Sequence, residues 1–237
     1  MKKISELTEI AISSEGLTLG AAAPCYQIYE NDAVRETYPA LFDSTWMIGG
    51  IQIQGRASVG GNLANAAPSG DTIPSVIVHR GLCVIAGPNG RREVAAEEFC
   101  TGPRQSVLQD GEILVAIKFP PPMKGEGSHY LRFIPRNEMD IAVAGTGASV
   151  VLNNGTIESA RIALASVAPT PVVASEAEAF LAGKEPTEEN IVEASELAKK
   201  VAKPITDMRG TIEQRVHLVG VLTKRALRKA VERAKGA

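Results

Sequence analysis

The chain has 237 residues, of which 44% are hydrophobic and 22% charged; this excludes disorder and collagen-like repeats. With 25 Lys and Arg against 27 Asp and Glu the net charge is -2, so no global field draws it to nucleic acid or to an anionic membrane. No apolar run approaches the ~20 residues of a membrane span.

In chain order, Leu17–Gly20 alternates as a strand does. Between Asn31 and Ile48, apolar residues recur at helical spacing and Pro39 interrupts them, which predicts two short helices ending at Gly49-Gly50. A glycine-rich passage follows, from Gly55 to Asp71. Gly81–Ala86 and Arg92–Ala95 flank the turn Gly87-Pro88-Asn89-Gly90 and read as a hairpin. Ile113–Phe119 is a strand that stops at Pro120-Pro121-Pro122, and the linker character of that run places a domain boundary near residue 124. Beyond it come a strand at Tyr130–Ile134 and a hairpin, Ala148–Leu152 and Ile157–Leu164, about Asn153-Asn154-Gly155. Three helices close the chain. The first carries an expected Ser175/Glu178 capping box and a stop at Gly183; the others span 187–202 and 211–234. The basic run Lys224, Arg225, Arg228, Lys229 and Arg233 on the last helix reads as a solvated face.

Cys25, Cys83 and Cys100 form no CxxC pair, so neither a zinc ribbon nor an iron–sulfur cluster is built from this chain alone. Their odd number, with no signal-like apolar core in Met1-Lys2-Lys3-Ile4-Ser5-Glu6, indicates a reducing cytoplasm. His79, His129 and His217 are isolated and give no local metal motif.

The chemistry lies in Ala57-Ser58-Val59-Gly60-Gly61-Asn62-Leu63-Ala64-Asn65-Ala66-Ala67-Pro68-Ser69-Gly70-Asp71. Adjacent glycines let the backbone approach a ligand and take positive φ, and successive N–H groups in such a turn form an anion nest. Ser58 and Asn62 add side-chain donors, and Asp71 is placed where a carboxylate could take a ribose hydroxyl. Two readings stay open on these residues: a nucleotide diphosphate cradle, or a tight structural turn. Neither Gly-x-Gly-x-x-Gly nor a Walker loop is present here, and Gly145-Thr146-Gly147 reads as packing.

The passage resembles the second flavin-binding motif of the molybdenum hydroxylase flavoproteins, the medium subunits of carbon monoxide dehydrogenase and the FAD subunits of xanthine dehydrogenase. Gly111–Ile117, Arg136-Asn137-Glu138-Met139-Asp140-Ile141-Ala142 and Ala168-Pro169-Thr170-Pro171 with Ala177-Glu178 agree with the same family in order and spacing. The resemblance implies an α+β fold: residues 1–124 form part of a PCMH-type FAD-binding domain. Residues 125–237 then form a smaller domain with an antiparallel three-stranded sheet and a helical C-terminus.

By resemblance, Ser58, Val59, Gly60, Gly61 and Asn62 hold the FAD pyrophosphate, Asn65 adds a polar contact, and Asp71 binds the adenosine ribose. Ile48, Gly49 and Ile53 line the flavin, Leu114 and Ile141 flank the isoalloxazine, and Arg132 lies near its polar edge. Asp140 is either a supporting polar group or a plain loop residue. Family members carry a first glycine motif, Ala-Gly-Gly-Thr or similar, ahead of the stretch matched here. Without two or three of its hydrogen bonds FAD binding is expected to weaken by roughly 3–9 kcal/mol. The implied activity is an oxidoreductase subunit relaying electrons from iron–sulfur clusters through FAD to NAD+, a quinone or another acceptor. The implied partners are an iron–sulfur small subunit and a molybdopterin-binding large subunit, which hold the iron–sulfur clusters and the molybdenum cofactor, in a dimer of heterotrimers. The alternative is a shortened paralogue acting as a scaffold without FAD.

Overall fold

The computed structural model describes every residue from Met1 to Ala237. It opens with α1 (Ser5–Thr8), β1 (Ile10–Ser13) and β2 (Gly16–Gly20). A run of short helices follows: α2 (Cys25–Tyr29), α3 (Asp32–Thr37), α4 (Pro39–Met47), α5 (Ile51–Gln54), α6 (Val59–Ala64) and α7 (Ile73–Val78). Then come β3 (Leu82–Gly87), β4 (Gly90–Ala95), α8 (Ala96–Phe99), β5 (Cys100–Gly102), β6 (Gln105–Ser106) and β7 (Ile113–Phe119). Past the prolines lie β8 (Glu126–Phe133), β9 (Ala144–Asn153), β10 (Thr156–Ala165), β11 (Val172–Val173), α9 (Ser175–Leu181), α10 (Glu188–Lys199) and α11 (Ile212–Lys235).

Two antiparallel sheets organise the chain. The first has the order β1-β2-β7-β3-β4, and the second β11-β10-β9-β8, three long strands with two-residue β11 added at the edge. Pro39 stands at the first position of α4, where its missing N–H is harmless, and splits α3 from α4 as the sequence suggests. Asn154 (φ 50°) and Gly155 (φ 85°) take the left-handed conformation that a two-residue hairpin turn needs.

The second sheet is covered on both faces, and its small residues explain how. A Cβ on Gly127 would sit 2.2 Å from the Ala234 nitrogen of α11, and one on Gly147 would sit 3.0 Å from the Pro74 backbone of α7. Gly145-Thr146-Gly147 is therefore packing, as read from the sequence. Tyr130 and Ala163 of the second sheet belong to the apolar core that fills the first part of the chain. A polar staple adds to this continuity. Asp43 of α4 accepts from His129 Nδ1 (2.5 Å), the Tyr130 amide (3.1 Å) and both terminal nitrogens of Arg233 on α11 (2.7 and 3.0 Å).

Two local expectations fail. The capping box does not form: α9 starts after Ala174 with no side-chain cap, and Glu178 instead accepts from the Ile162 amide of β10 at 2.7 Å. The basic run on α11 is not a uniformly solvated face either. Arg228 pairs with Glu188, while Arg233 is the half-buried partner of Asp43.

Candidate functional site

The Ser58–Asp71 passage folds around α6. Ser58 takes extended φ/ψ (-142°, 155°) and its Oγ accepts from the Gly61 amide at 3.1 Å, which is how a serine caps a helix. Gly60 and Gly61 are thus the second and third residues of a helix. They are not the positive-φ nest expected from the sequence, because the cap fixes them in the helical region. The glycines serve distance instead. A Cβ on Gly60 would lie 2.4–2.5 Å from Ala21, so Gly60 lets α6 press against the Ala21-Ala22 turn. A Cβ on Gly61 would meet only Ser58 Oγ, at 2.9 Å, and otherwise points to open space.

The turn opposite α6 is fixed from three sides. The Ala21 amide donates to Val115 O (2.8 Å), Ala22 to Leu7 O (2.7 Å) and Gly20 to Glu9 O (2.8 Å). The Ala21–Val115 bond continues the β2–β7 register, in which Leu19 faces Ile117 and Gly20 faces Ala116; on its other side β7 bulges at Val115, where Val84 faces Ala116 and Ile85 faces Leu114. Between turn, helix and strand runs a groove of about 190 Å³ walled by Ala21, Ala22, Gly60, Gly61 and Ala64, with Leu108 and Leu114 as its apolar lining. Its only charged lining residue, Glu112, is held by Arg92 (2.8 and 2.7 Å), and that pair lowers Glu112 to about 2. The Gly60 amide has no hydrogen-bond partner within the chain.

Such a groove fits an anion. Unpaired first-turn amides carry the positive end of the helix dipole, and small walls let the backbone reach a ligand. It is smaller than the ~300 Å³ lower bound of ordinary ligand pockets, so it suits a diphosphate and its immediate neighbours. The residues present fit the pyrophosphate of a dinucleotide.

The other expected site residues divide. Ser58, Gly60, Gly61 and Leu114 share the groove, whereas the Val59 side chain is buried in the core. Asn62 turns away: its Oδ1 accepts from the Thr72 amide (3.1 Å) and hydroxyl (2.8 Å), tying α6 to the start of α7. Asn65 stands at the far end of α6 and is exposed. Asp71 is not open to a ribose. Its carboxylate is buried and taken by Arg132 (2.5 Å) and the Tyr130 hydroxyl (3.0 Å). Burial pushes that carboxyl up, with Arg132 and Tyr130 pulling the other way.

Gly49 and Arg132 line a second groove, about 400 Å³, with buried Gln54 and exposed Trp46, Asn137 and Glu138. Arg132 is fixed there by Asp71 and by Met47 O (2.6 Å). Gly49 has φ 58°, and Ile53 Cδ1 lies where its Cβ would be. Ile48 is buried beside them, its carbonyl accepting from Gln54 Nε2 at 3.2 Å. The 136–140 loop reaches this groove, where the Met139 amide donates to Gly49 O (3.3 Å). Asp140 caps the Ile141 amide (2.8 Å) and sits 3.6 Å from Arg136. Ile141 lies in a third cleft, so it does not pair with Leu114 across one pocket.

Sequence reasoning missed the opposite wall. Ala21 and Ala22 supply one wall of the groove, and the Lys2 ammonium donates to Ala22 O at 3.1 Å. The run Gly20-Ala21-Ala22-Ala23-Pro24, small residues ending a strand, is the signal that could have pointed there.

Two family models match the chain. Residues 1–122 match the family model described as the FAD binding domain in molybdopterin dehydrogenase, and residues 129–230 match the CO dehydrogenase flavoprotein C-terminal domain. A putative xanthine dehydrogenase FAD-binding subunit of Escherichia coli (strain K12) is 34% identical over 98% of this chain and 80% of its own length. The carbon monoxide dehydrogenase medium chain of Afipia carboxidovorans is 30% identical over 99% of this chain and 81% of its own. Among solved structures, a carbon monoxide dehydrogenase from Hydrogenophaga pseudoflava superposes with a TM-score of 0.94 at 32% identity, covering 98% of this chain and 81% of that one.

Proposed function

The chain belongs to the FAD-binding flavoprotein family of the molybdopterin dehydrogenases, and from that premise we propose that it is the electron-relaying flavoprotein subunit of a molybdenum hydroxylase. FAD, when bound, supplies an electron store between one-electron donors and a final acceptor. The chain's own residues have the simpler task of holding it. The free Gly60 amide and the proton of the Ser58 hydroxyl, whose oxygen already holds the Gly61 amide, would take the diphosphate, and Gly61 leaves the groove open. Leu108 and Leu114 keep water from the apolar side. The buried Arg132–Asp71 pair presents a fixed guanidinium edge to the second groove, suited to the polar edge of a flavin ring. No side chain here needs to move a proton on an organic substrate, whose chemistry belongs to a molybdenum-bearing partner. An iron–sulfur partner delivers the electrons, and NAD+, a quinone or another acceptor removes them.

The observation that carries this reading is the Ser58-capped turn of α6, which holds the Gly61 amide on Ser58 Oγ and leaves the Gly60 amide free on a small-walled groove. The reading predicts that the groove selects the diphosphate. FAD titrated into the purified chain gives saturable changes in its 350–500 nm absorbance, ADP competes with it, and FMN, which lacks the diphosphate, does not. A chain that binds no FAD and ignores ADP would instead fit a scaffold role.

A further inference from the structure

The third cleft, about 330 Å³, has no part in holding the cofactor as described above, and it is unusually equipped. Four prolines, Pro68, Pro103, Pro169 and Pro204, stand in its walls, which makes it rigid before anything binds. Its back is Arg215 of α11, whose side chain is only 5% exposed. That guanidinium is clamped by Asp207 (2.7 Å), Val143 O (2.7 Å) and Ser166 O (2.9 Å), leaving Nε without a partner. Ser166 sits at φ 67°, a conformation a serine holds only when its surroundings impose it, and its Oγ is buried without a partner too. Two further cations line the cleft, Lys203 and Arg209, and neither makes an ion pair or a side-chain hydrogen bond within the chain. Asp207 is committed to Arg215, so the cleft carries two uncompensated positive charges.

The rim is apolar where a free surface would be polar. Ile205 is 69% exposed and Met208 92%, and Ile141 and Ile212 are also exposed. Ile212 belongs to the same corner, because its amide donates to Thr206 Oγ1. A preformed cleft, unpaired Lys and Arg, and protruding Met and Ile together mark a protein-binding surface rather than a small-ligand pocket. The charges choose the partner's sign. The position suggests which partner: Pro68 and Ser69 belong to the loop that begins where α6 ends, and Ser166 N fastens β10 to it through Pro68 O (2.7 Å). The cleft and the diphosphate groove are therefore two ends of one segment.

We propose that this cleft docks an acidic polypeptide segment, apolar side chain inward and carboxylates on Lys203 and Arg209, of the chain that delivers electrons to the flavin. The surface and its charge stand on the structure alone, while the partner's role rests on the proposed function.

The test uses the assembly as purified from the native host through a tag on this chain. A water-soluble carbodiimide joins an amine to a carboxylate only where they touch, and mass spectrometry then maps the joined residues. The result expected is an isopeptide between Lys203 Nζ and an Asp or Glu of a second polypeptide. Lys203→Glu/Arg209→Glu should retain at least about tenfold less of that polypeptide at low salt, with flavin absorbance per chain and melting temperature unchanged. A partner that cross-links through other lysines but never through Lys203 overturns the proposal. So does unchanged retention in the double variant, or a chain that purifies alone. Flavin absorbance is read separately on the same samples, so a colourless chain that still cross-links at Lys203 defeats the flavin reading and leaves the docking surface standing.

Discussion

Two neighbouring glycines have different tasks. Gly60 is a contact: a methyl there would enter Ala21 backbone, so Gly60→Ala should lower stability by about 1–3 kcal/mol, the usual overpacking range, measured by urea unfolding. Gly61 is an opening onto the groove. His79 supplies a pH dependence. It is fully buried, Ser128 Oγ lies 3.1 Å from its Nε2, and the Ala40 amide already donates to that hydroxyl (3.1 Å), so the hydroxyl proton is free for the ring. Burial lowers His79 to about 4, from about 6.5 when unfolded. Between those values the unfolded chain binds a proton that the folded chain refuses. Stability therefore falls by about 3 kcal/mol as pH drops from 6.5 to 4, and is unaffected by this group above 6.5. Urea unfolding at pH 7.0, 5.5 and 4.5 checks this: the slope should shrink in His79→Gln, and an equal slope in both proteins contradicts it.

At the scale of elements, α4, β8 and α11 meet on the Asp43 carboxylate. Burial opposes its charge, yet the hydrogen bonds from His129 and Arg233 prevail and hold its pKa below the usual range. Asp43→Ala leaves Arg233 without its partner and should destabilise by about 2–4 kcal/mol, below the full value for a buried pair because Arg233 is partly exposed. Denaturant midpoints measure it, and a loss under 1 kcal/mol would show that the three elements hold together without this staple. Much at this scale was legible in the sequence. Pro39 split two helices, Asn154-Gly155 turned a hairpin, and amphipathic periodicity located α10 and α11. What was illegible depended on distant partners. Ser175 and Glu178 have capping spacing, but Glu178 found the β10 amide instead. Asp71 has ribose-binding spacing, but Arg132 and Tyr130, about 60 positions further on, occupy it. The geometry of the Gly-Gly pair, helical rather than left-handed, is set by a Ser58 cap that a glycine pattern does not reveal.

Taken whole, the molecule presents separate faces along one segment: a small-walled groove at α6, a cleft carrying two unpaired cations at Pro68-Ser69, and then Asp71, buried against Arg132 of the second groove. The two sheets share a core through Tyr130 and Ala163, so these faces keep fixed positions relative to one another. The arrangement suits a relay, in which one face holds the carrier and another receives the donor. The central claim, that the first turn of α6 holds a diphosphate, is tested most directly by FAD titration of the wild type against Gly61→Val, with melting temperature as the control. The account predicts saturable binding by the wild type and at least about tenfold weaker binding by the variant, since the valine side chain fills the opening that Gly61 leaves and keeps the diphosphate from at least one charge-assisted contact, which contributes ~1.5–3 kcal/mol; the melting temperature reports any loss of the Ser58 cap, whose Oγ lies 2.9 Å from the new Cβ. Equal affinity in the two proteins, or no saturable binding by the wild type, would contradict it.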